Sequence, residues 1–227
     1  MEYEIRGGSF PIVICTLQEG ETIKNETGAM SFMTSGMTME TNTGGGLLKG
    51  LGRALSGDSL FLNFFTAETD NQQIGFSAHS PGKIMPFKLD GSNTIIGQKN
   101  AFLAAEDSVE IEVFFKNKIG TGIFGGEGFI LQKFSGEGVV FLEIDGEVIE
   151  HELQEGETLL LDPGHLAAME ETVGYEIERV KGAKNILFGE GLFFARIRGP
   201  GKVWIQTMPI SKLAEAIIPF IPTSSGG

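Results

Sequence analysis

The sequence predicts an all-β protein built from three tandem units. Three observations lead to this prediction. Glycine is abundant, with 33 residues in a chain of 227, which is typical of a fold rich in tight turns. Short apolar segments are bounded by turn residues, and few stretches keep a helical period. The chain also repeats itself twice. Its hydrophobic content of 41% is enough for a buried core.

The repeat is visible at several anchors that keep their order and spacing. Residues 19–23 (EGETI) recur as 155–159 (EGETL), and residues 94–105 supply a middle copy. A second anchor appears three times, as GDSLFL at 57–62, GEGFIL at 126–131 and GEGLFF at 189–194. A third anchor is clear only in the last two copies. We therefore predict one pseudo-threefold β domain over 1–210, with repeats at 9–80, 81–144 and 145–210.

The strands of each unit are predicted from the period of the apolar residues and from the turn residues that bound each run. Residues 12–17, 59–64 and 147–153 are β-branched or aromatic runs between turn residues, which predicts strands. Residues 37–41 and 109–113 alternate apolar and polar, the pattern of a sheet with one wet face. Turns are predicted at Asp90-Gly91, at Asp145-Gly146 and at Gly174. Because open sheet edges promote aggregation, each unit is expected to close into a sandwich or barrel.

One segment near the end predicts a helix. Residues 209–218 carry apolar side chains at helical spacing, and Pro219 stops the pattern. We expect this helix to pack as a lid on the last unit, with residues 211–227 forming the helix and a tail.

Charge and targeting signals limit the function classes. The formal net charge of −13 opposes binding to nucleic acid and to anionic membranes. A single cysteine, Cys15, cannot form an internal disulfide, and the acidic N-terminus does not match a signal peptide. A cytoplasmic protein with no nucleic-acid partner is the expectation.

A glycine-rich segment at residues 44–55 (GGGLLKGLGRAL) stands out within the first unit. Glycines before a helix can bind phosphate, but this segment lacks the Gly-Lys-Ser/Thr ending of a nucleotide loop. The alternative is an apolar ridge with two basic neighbours that contacts another copy or, as a second choice, a membrane surface. The candidate contact residues are Gly44, Gly45, Gly46, Leu47, Leu48, Lys49, Leu51, Arg53 and Leu55.

This segment, continued to residue 61, together with residues 80–84 (SPGKI) and the threefold repeat, resembles a known family. It is the family named for altered inheritance of mitochondria, also placed among proteins resembling the tryptophan RNA-binding attenuation protein. The resemblance covers essentially the whole chain and implies units of a short double-stranded β-helix type that self-associate. RNA binding is not carried over, because neither a basic rim nor a tryptophan-pocket motif is identified.

Candidate metal ligands and nucleophiles have simpler interpretations. Under the repeat, His79, His151 and His165 fall at three different positions of the unit and need not converge, so we predict solvated or core-edge histidines and no cofactor. Cys15 lies in an apolar strand without a basic neighbour and is expected to be an inert core thiol. No serine elbow is identified around Ser77 and Ser80.

Two further groups are assigned to structure rather than chemistry. Met30, Met33, Met37 and Met39 alternate with polar residues, which favours methionines filling a β core over a thioether copper site. The acidic rows, such as Glu110 and Glu112, are expected on the wet face of a sheet.

The sequence thus favours a non-enzymatic, self-associating β-protein that contacts a protein or a membrane-associated partner. A module that binds a small ligand in the cavity of one unit is the alternative, and an enzyme with an unrecognised site comes third. The sequence shows no inward polar cluster that would favour the alternative.

Overall fold

The protein is an all-β structure with one short helix, seen in a computed structural model. The structure describes residues 1–26, 28–42, 62–117, 128–179 and 193–221. Among these residues, no helix is long and apolar enough to cross a membrane. The all-β prediction is confirmed.

Eighteen strands are described. The first seven are β1 (Glu2–Arg6), β2 (Ile12–Leu17), β3 (Thr22–Glu26), β4 (Met30–Met33), β5 (Met37–Asn42), β6 (Leu62–Ala67) and β7 (Gln72–Ser77). The next five are β8 (Gly82–Asp90), β9 (Ile95–Gln98), β10 (Phe102–Glu106), β11 (Val109–Asn117) and β12 (Phe129–Asp145). The last six are β13 (Val148–Leu153), β14 (Thr158–Leu161), β15 (Leu166–Glu170), β16 (Gly174–Arg179), β17 (Phe193–Arg198) and β18 (Gly201–Gln206).

Helical structure is confined to short pieces. Two 3-10 turns, Lys99–Ala101 and Pro163–His165, precede β10 and β15. The one α-helix of the described ranges, α1 (Ile210–Ile217), is followed by a 3-10 turn over Ile218–Phe220.

All described strand pairs are antiparallel and form three sheets. A small sheet has the order β1-β2-β7-β4, and another has the order β14-β17-β16. Between them, the largest sheet runs β13-β18-β15-β9-β12-β10-β3-β6-β5, and β8 and β11 also pair with β12. The long strand β12 therefore joins four neighbours: β8 and β10 pair with its second half, β9 and most of β11 with its first.

The interior consists of three clusters of buried apolar side chains. Phe65 and Phe76 meet edge-on in the first cluster along the chain, and Phe102 stacks on Phe134 in the next. Leu131 and Leu166, both fully buried, belong to the third. Burial of such apolar surface is the main favourable contribution to folding.

Most predicted strands are observed, and their ends lie within a few residues of the expected bounds. Alternation and β-branching mark these strands clearly in the sequence. Gly91 and Gly146 have φ of 83° and 76°, the left-handed region that favours glycine in turns. The prediction for Gly174 is wrong: it is the first residue of β16, and the turn lies just before it. An isolated glycine does not distinguish a turn from the start of a strand.

The methionine prediction is wrong in part. Met37 is 6% exposed and lies in the core, and Met30 packs against it. Met33 and Met39, however, are 38% and 46% exposed. Both belong to strands β4 and β5, which lie at the ends of their sheets, so alternation does not bury these side chains.

The helix lies where it was predicted, but it does not bury its apolar stripe. None of the residues of α1 is buried, and Ile217 is 49% exposed. Its attachment is polar: the Ile210 N–H donates to Asp145 Oδ2 at 2.7 Å, and Lys212 Nζ lies 3.4 Å from Asp162 Oδ2. The expected lid is therefore a loosely held helix, attached by these polar contacts and with no buried residue of its own.

Candidate functional site

A cavity of about 640 Å³ lies where the ends of several strands meet the start of α1. Its walls come from parts of the chain far apart in sequence, including the ends of β3, β9, β12 and β18. The lining residues are Glu26, His79, Ser80, Gln98, Asn100, Ala101, Phe102, Glu143, Asp145, Gly164, Gln206, Pro209, Ile210 and Ser211.

His79 and Glu143 form a pair at one wall of the cavity. The His79 backbone N–H donates to Glu143 Oε2 at 2.6 Å, and His79 Nδ1 lies 2.8 Å from Glu143 Oε1. The Glu143 side chain is 8% exposed and that of His79 is 54% exposed, so the pair extends from the interior to the rim. The hydrogen bond to Glu143 raises the pKa of His79 above its usual value, assisted by the charges of Glu143, Glu26 and Asp145 and opposed by burial.

Asp145, two residues after Glu143 on β12, connects several segments of the cavity wall. One carboxylate oxygen accepts the Ser80 hydroxyl, and the other accepts the Ile210 N–H at the start of α1. Its backbone N–H donates to Gln206 Oε1 at 3.1 Å. Asp145 therefore ties the β7–β8 connection, β18 and the helix to the same point.

Two glutamines of the cavity wall donate hydrogen bonds to the 3-10 turn before β15. Gln206 Nε2 donates to the Gly164 carbonyl at 2.8 Å. Gln98 Nε2 donates to the carbonyls of Pro163 and Gly164, at 3.1 and 3.3 Å. Because both carbonyls accept, they fix Gln98 with its nitrogen toward the turn. Gln98 Oε1 then has no hydrogen-bond partner among the described residues.

The lining is acidic. It includes the carboxylates Glu26, Glu143 and Asp145, with His79 as its only ionisable nitrogen base among the described side chains. Such a wall attracts positive charge and repels anions.

Neither of the other two histidines lines the cavity. His165 Nδ1 is 2.8 Å from the Gln206 carbonyl oxygen, and His151 is exposed on β13. Within the described segments, no three His, Cys, Asp or Glu side chains are placed to hold a metal ion.

The candidate nucleophiles are not arranged for catalysis. Cys15 is fully buried, and burial raises the pKa of its thiol to about 12, so the thiol stays protonated at neutral pH. The Ser80 hydroxyl donates to Asp145 and not to His79, and the Ser77 hydroxyl pairs with that of Ser31. Glu110 and Glu112 are exposed on β11, where alternation placed them.

The glycine-rich segment cannot be compared with its prediction, since residues 44–55 lie outside the described residues. Its proposed role as a contact remains a prediction.

Sequence reasoning missed the cavity because its residues are polar and widely separated. A signal was present: His79, Glu143 and Gln206 occupy matching places of the three predicted repeats, just after β7 and near the ends of β12 and β18, and all three are polar. A polar residue that recurs at one position of the predicted repeats indicates a shared polar surface.

The fold and the cavity together define an all-β protein with an acidic, mixed polar and apolar cavity and a histidine–carboxylate pair. Comparison with known proteins gives the family. The model of the family described as Mitochondrial biogenesis AIM24 matches residues 3–208, so this chain belongs to that family. The family resemblance stated from the sequence is thereby confirmed.

Two relatives are similar along nearly the full chain. An uncharacterized protein of Streptococcus pyogenes serotype M6 is 28% identical over 97% of this chain and 90% of its own length. A crystal structure of a protein from Streptococcus pyogenes matches with a TM-score of 0.80 and 23% identity, over 97% of this chain and 99% of that one. The second likeness shows the shared fold.

Proposed function

We propose that this protein is a non-enzymatic scaffold that self-associates head to tail through its sheet edges, using three tandem units about a pseudo-threefold arrangement. The observation that carries this proposal is the pairing state of β4 and β14. Each pairs on one side only among the described strands, while their counterparts within the chain pair on both.

The tandem units are supported by an irregularity that recurs in the strand pairing. The register shifts between Met30 and Phe32 where β4 pairs with β7. It shifts again between Phe102 and Ala104 where β10 pairs with β12, and between Leu166 and Ala168 where β15 pairs with β18. These are matching positions of the three predicted repeats, and β-bulges are specific features of a fold.

Neighbouring units are joined by one kind of strand pair. β10 pairs with β3, placing Ala105 opposite Lys24, and β15 pairs with β9, placing Met169 opposite Ile96. In each junction, the strand that contains the bulge (β10 or β15) pairs with the second strand of the preceding unit (β3 or β9). All four side chains are 7% exposed or less.

The same positions are exposed at the two ends of the chain. Met33 in β4 corresponds to Ala105 and Met169, yet it is 38% exposed. Leu160 in β14 corresponds to Lys24 and Ile96, yet it is 49% exposed. An apolar side chain at an open sheet edge is a site for pairing with another strand.

The partner that fits is a second copy of this chain. β14 of one copy and β4 of another would repeat the internal junction, with Met33 opposite Leu160. The two edges differ, so the contact is head to tail and produces either a closed ring or an open filament. Reuse of the internal geometry requires no new mode of packing.

The proposal is tested by adding a charge to the edges. Leu160→Lys and Met33→Lys should each reduce the assembly to monomer, because a lysine at an edge strand opposes pairing. Ile149→Lys is the matched control, since Ile149 is 51% exposed on β13 and lies outside the proposed contact. Light scattering coupled to gel filtration measures the mass. A wild-type monomer, or variants that keep the wild-type mass, would contradict the proposal.

A second function is favoured by the cavity: binding of a small ligand. Its volume falls within the range of about 300–1,000 Å³ typical of small-molecule sites, and it combines apolar walls with a few placed polar groups. The Ser80 hydroxyl is engaged by Asp145, so the site offers recognition rather than a nucleophile. Native mass spectrometry of the purified chain tests this, with a retained small molecule as the expected result and its absence after gentle purification as the contrary one.

A further inference from the structure

We propose that the cavity binds a small organic cation whose charged end is an N–H donor, such as a primary ammonium group. This inference rests on the second function above, ligand binding, and names the class of ligand. It does not depend on self-association.

The first step is the free acceptor of Gln98. Its side chain lines the cavity and the residue is 8% exposed. The Pro163 and Gly164 carbonyls occupy its nitrogen, which leaves Oε1 unpartnered among the described residues. Oε1 is reached from the cavity, so a ligand with an N–H group can donate a hydrogen bond to it.

The second step is the charge of the walls. Glu26, Glu143 and Asp145 all line the cavity, and His79 is the only basic side chain among the described residues that does so. Even with His79 protonated, the carboxylates are in excess. A cation is therefore favoured over an anion, and an anionic ligand would meet repulsion.

The third step is the apolar part of the lining. Ala101 and Phe102 form part of the wall, and Pro209 and Ile210 at the start of α1 also line the cavity. These groups suit the hydrocarbon portion of a ligand and do not solvate a bare metal ion. Together with the absence of a three-residue ligand group in the described segments, this favours an organic ammonium over an inorganic cation.

The experiment compares three probes with the same four-carbon backbone. They are 1,4-diaminobutane, the neutral 1,4-butanediol and the anionic succinate, each titrated into the full chain by calorimetry at constant ionic strength. We expect diaminobutane to bind at least about tenfold more tightly than butanediol, and succinate not to bind, because the ammonium adds charge-assisted hydrogen bonds.

Variants locate the site. Glu143→Gln and Glu26→Gln should each weaken diaminobutane binding by about fivefold, the upper end of the effect measured for the loss of one ion-pair partner. Glu110→Gln is the control: it removes the same charge from an exposed position on β11, opposite Ser135 in the other half of β12. Its affinity should equal that of the wild type. Because Glu143 also holds the His79 backbone, Glu26→Gln decides the result if Glu143→Gln does not fold.

The outcomes are distinct. Equal binding of diaminobutane and butanediol would overturn the cationic class and leave ligand binding intact. Preferential binding of succinate would also overturn it. No binding by any probe would overturn both ligand proposals. An equal loss in Glu110→Gln would show that diaminobutane only follows the net charge, which contradicts a built site.

Discussion

Several polar side chains of this protein form hydrogen bonds between segments that are far apart in the sequence. Glu143 accepts two hydrogen bonds from His79, and Asp145 accepts from Ser80 and Ile210. Their partners are far away in the sequence, and both acids lie at the end of β12. The end of β12 is therefore attached to other segments by carboxylate hydrogen bonds, while apolar side chains earlier in the same strand pack in the core.

The His79–Glu143 pair gives a pH-dependent stability. Since the folded-state pKa of His79 is raised, its contribution is complete below the unfolded pKa of about 6.5 and is lost as the pH rises through the raised value. His79→Gln should lose stability at pH 5.5 and little at pH 9. Because the side chain is half exposed, the loss should be about 1 kcal/mol or less.

Urea unfolding at the two pH values measures this difference. His151→Gln, at an exposed position on β13, is the control and should show no such change. A larger loss for His79→Gln at pH 9 than at pH 5.5 would contradict the assigned sign.

Gln132 offers a stabilising substitution. It is fully buried in β12, and neither its Nε2 nor its Oε1 has a hydrogen-bond partner within the described part of the chain. Gln132→Met keeps the volume and removes the unpartnered amide, so it should raise the free energy of unfolding by about 1 kcal/mol. Gln98→Met, which removes a bonded amide, should lower it by about 1 kcal/mol. Thermal denaturation compares the two, and a loss in Gln132→Met would contradict this assignment.

At the scale of elements, sequence patterns were informative wherever one face of a strand is buried. The alternation in β11 correctly placed Glu110 and Glu112 in solvent. The same alternation failed for Met33, because an open edge is a property of the assembled sheet and not of the strand. The cavity was missed for a similar reason: Gln98 and Gly164 become neighbours only through pairing of β9 with β15.

The helix α1 should contribute little to stability. None of its residues is buried, and its described polar ties are the Ile210 N–H to Asp145 and the Lys212 contact with Asp162. A chain ending at Pro209 should melt within about 4 °C of the full chain, the shift expected for about 1 kcal/mol in a protein of this size. Scanning calorimetry measures the difference. A much larger decrease would show that the apolar stripe is buried against another surface in solution, contrary to a loosely held helix.

At the scale of the whole molecule, net charge and edge pairing oppose one another. Each copy carries a formal charge of −13, so copies repel at low ionic strength. The proposed contact is apolar at Met33 and Leu160. The repeats on which the proposed contact depends are a prediction from glycine-bounded anchors in the sequence, whereas the open edges of β4 and β14 are visible only in the sheet order.

Salt should therefore strengthen self-association. Raising the ionic strength from 10 to 150 mM shortens the Debye length from about 30 Å to about 8 Å and screens the repulsion between copies. Sedimentation velocity at the two salt concentrations should show tighter assembly at the higher one, and Leu160→Lys should stay monomeric in both. Weaker assembly at higher salt would indicate that ion pairs, and not apolar edges, hold the copies together.

The most direct measurement is a cross-link between the two proposed edges. Met33→Cys and Leu160→Cys are made as separate chains, mixed and oxidised, with Cys15 protected by its burial. Residues directly opposite in antiparallel strands have Cβ atoms about 4.5–5.5 Å apart, within reach of a disulfide or a short bifunctional maleimide. We predict a covalent dimer containing one chain of each kind, formed only in the mixture. Dimers within either single variant, or an internal cross-link in the double variant without any intermolecular product, would contradict head-to-tail pairing.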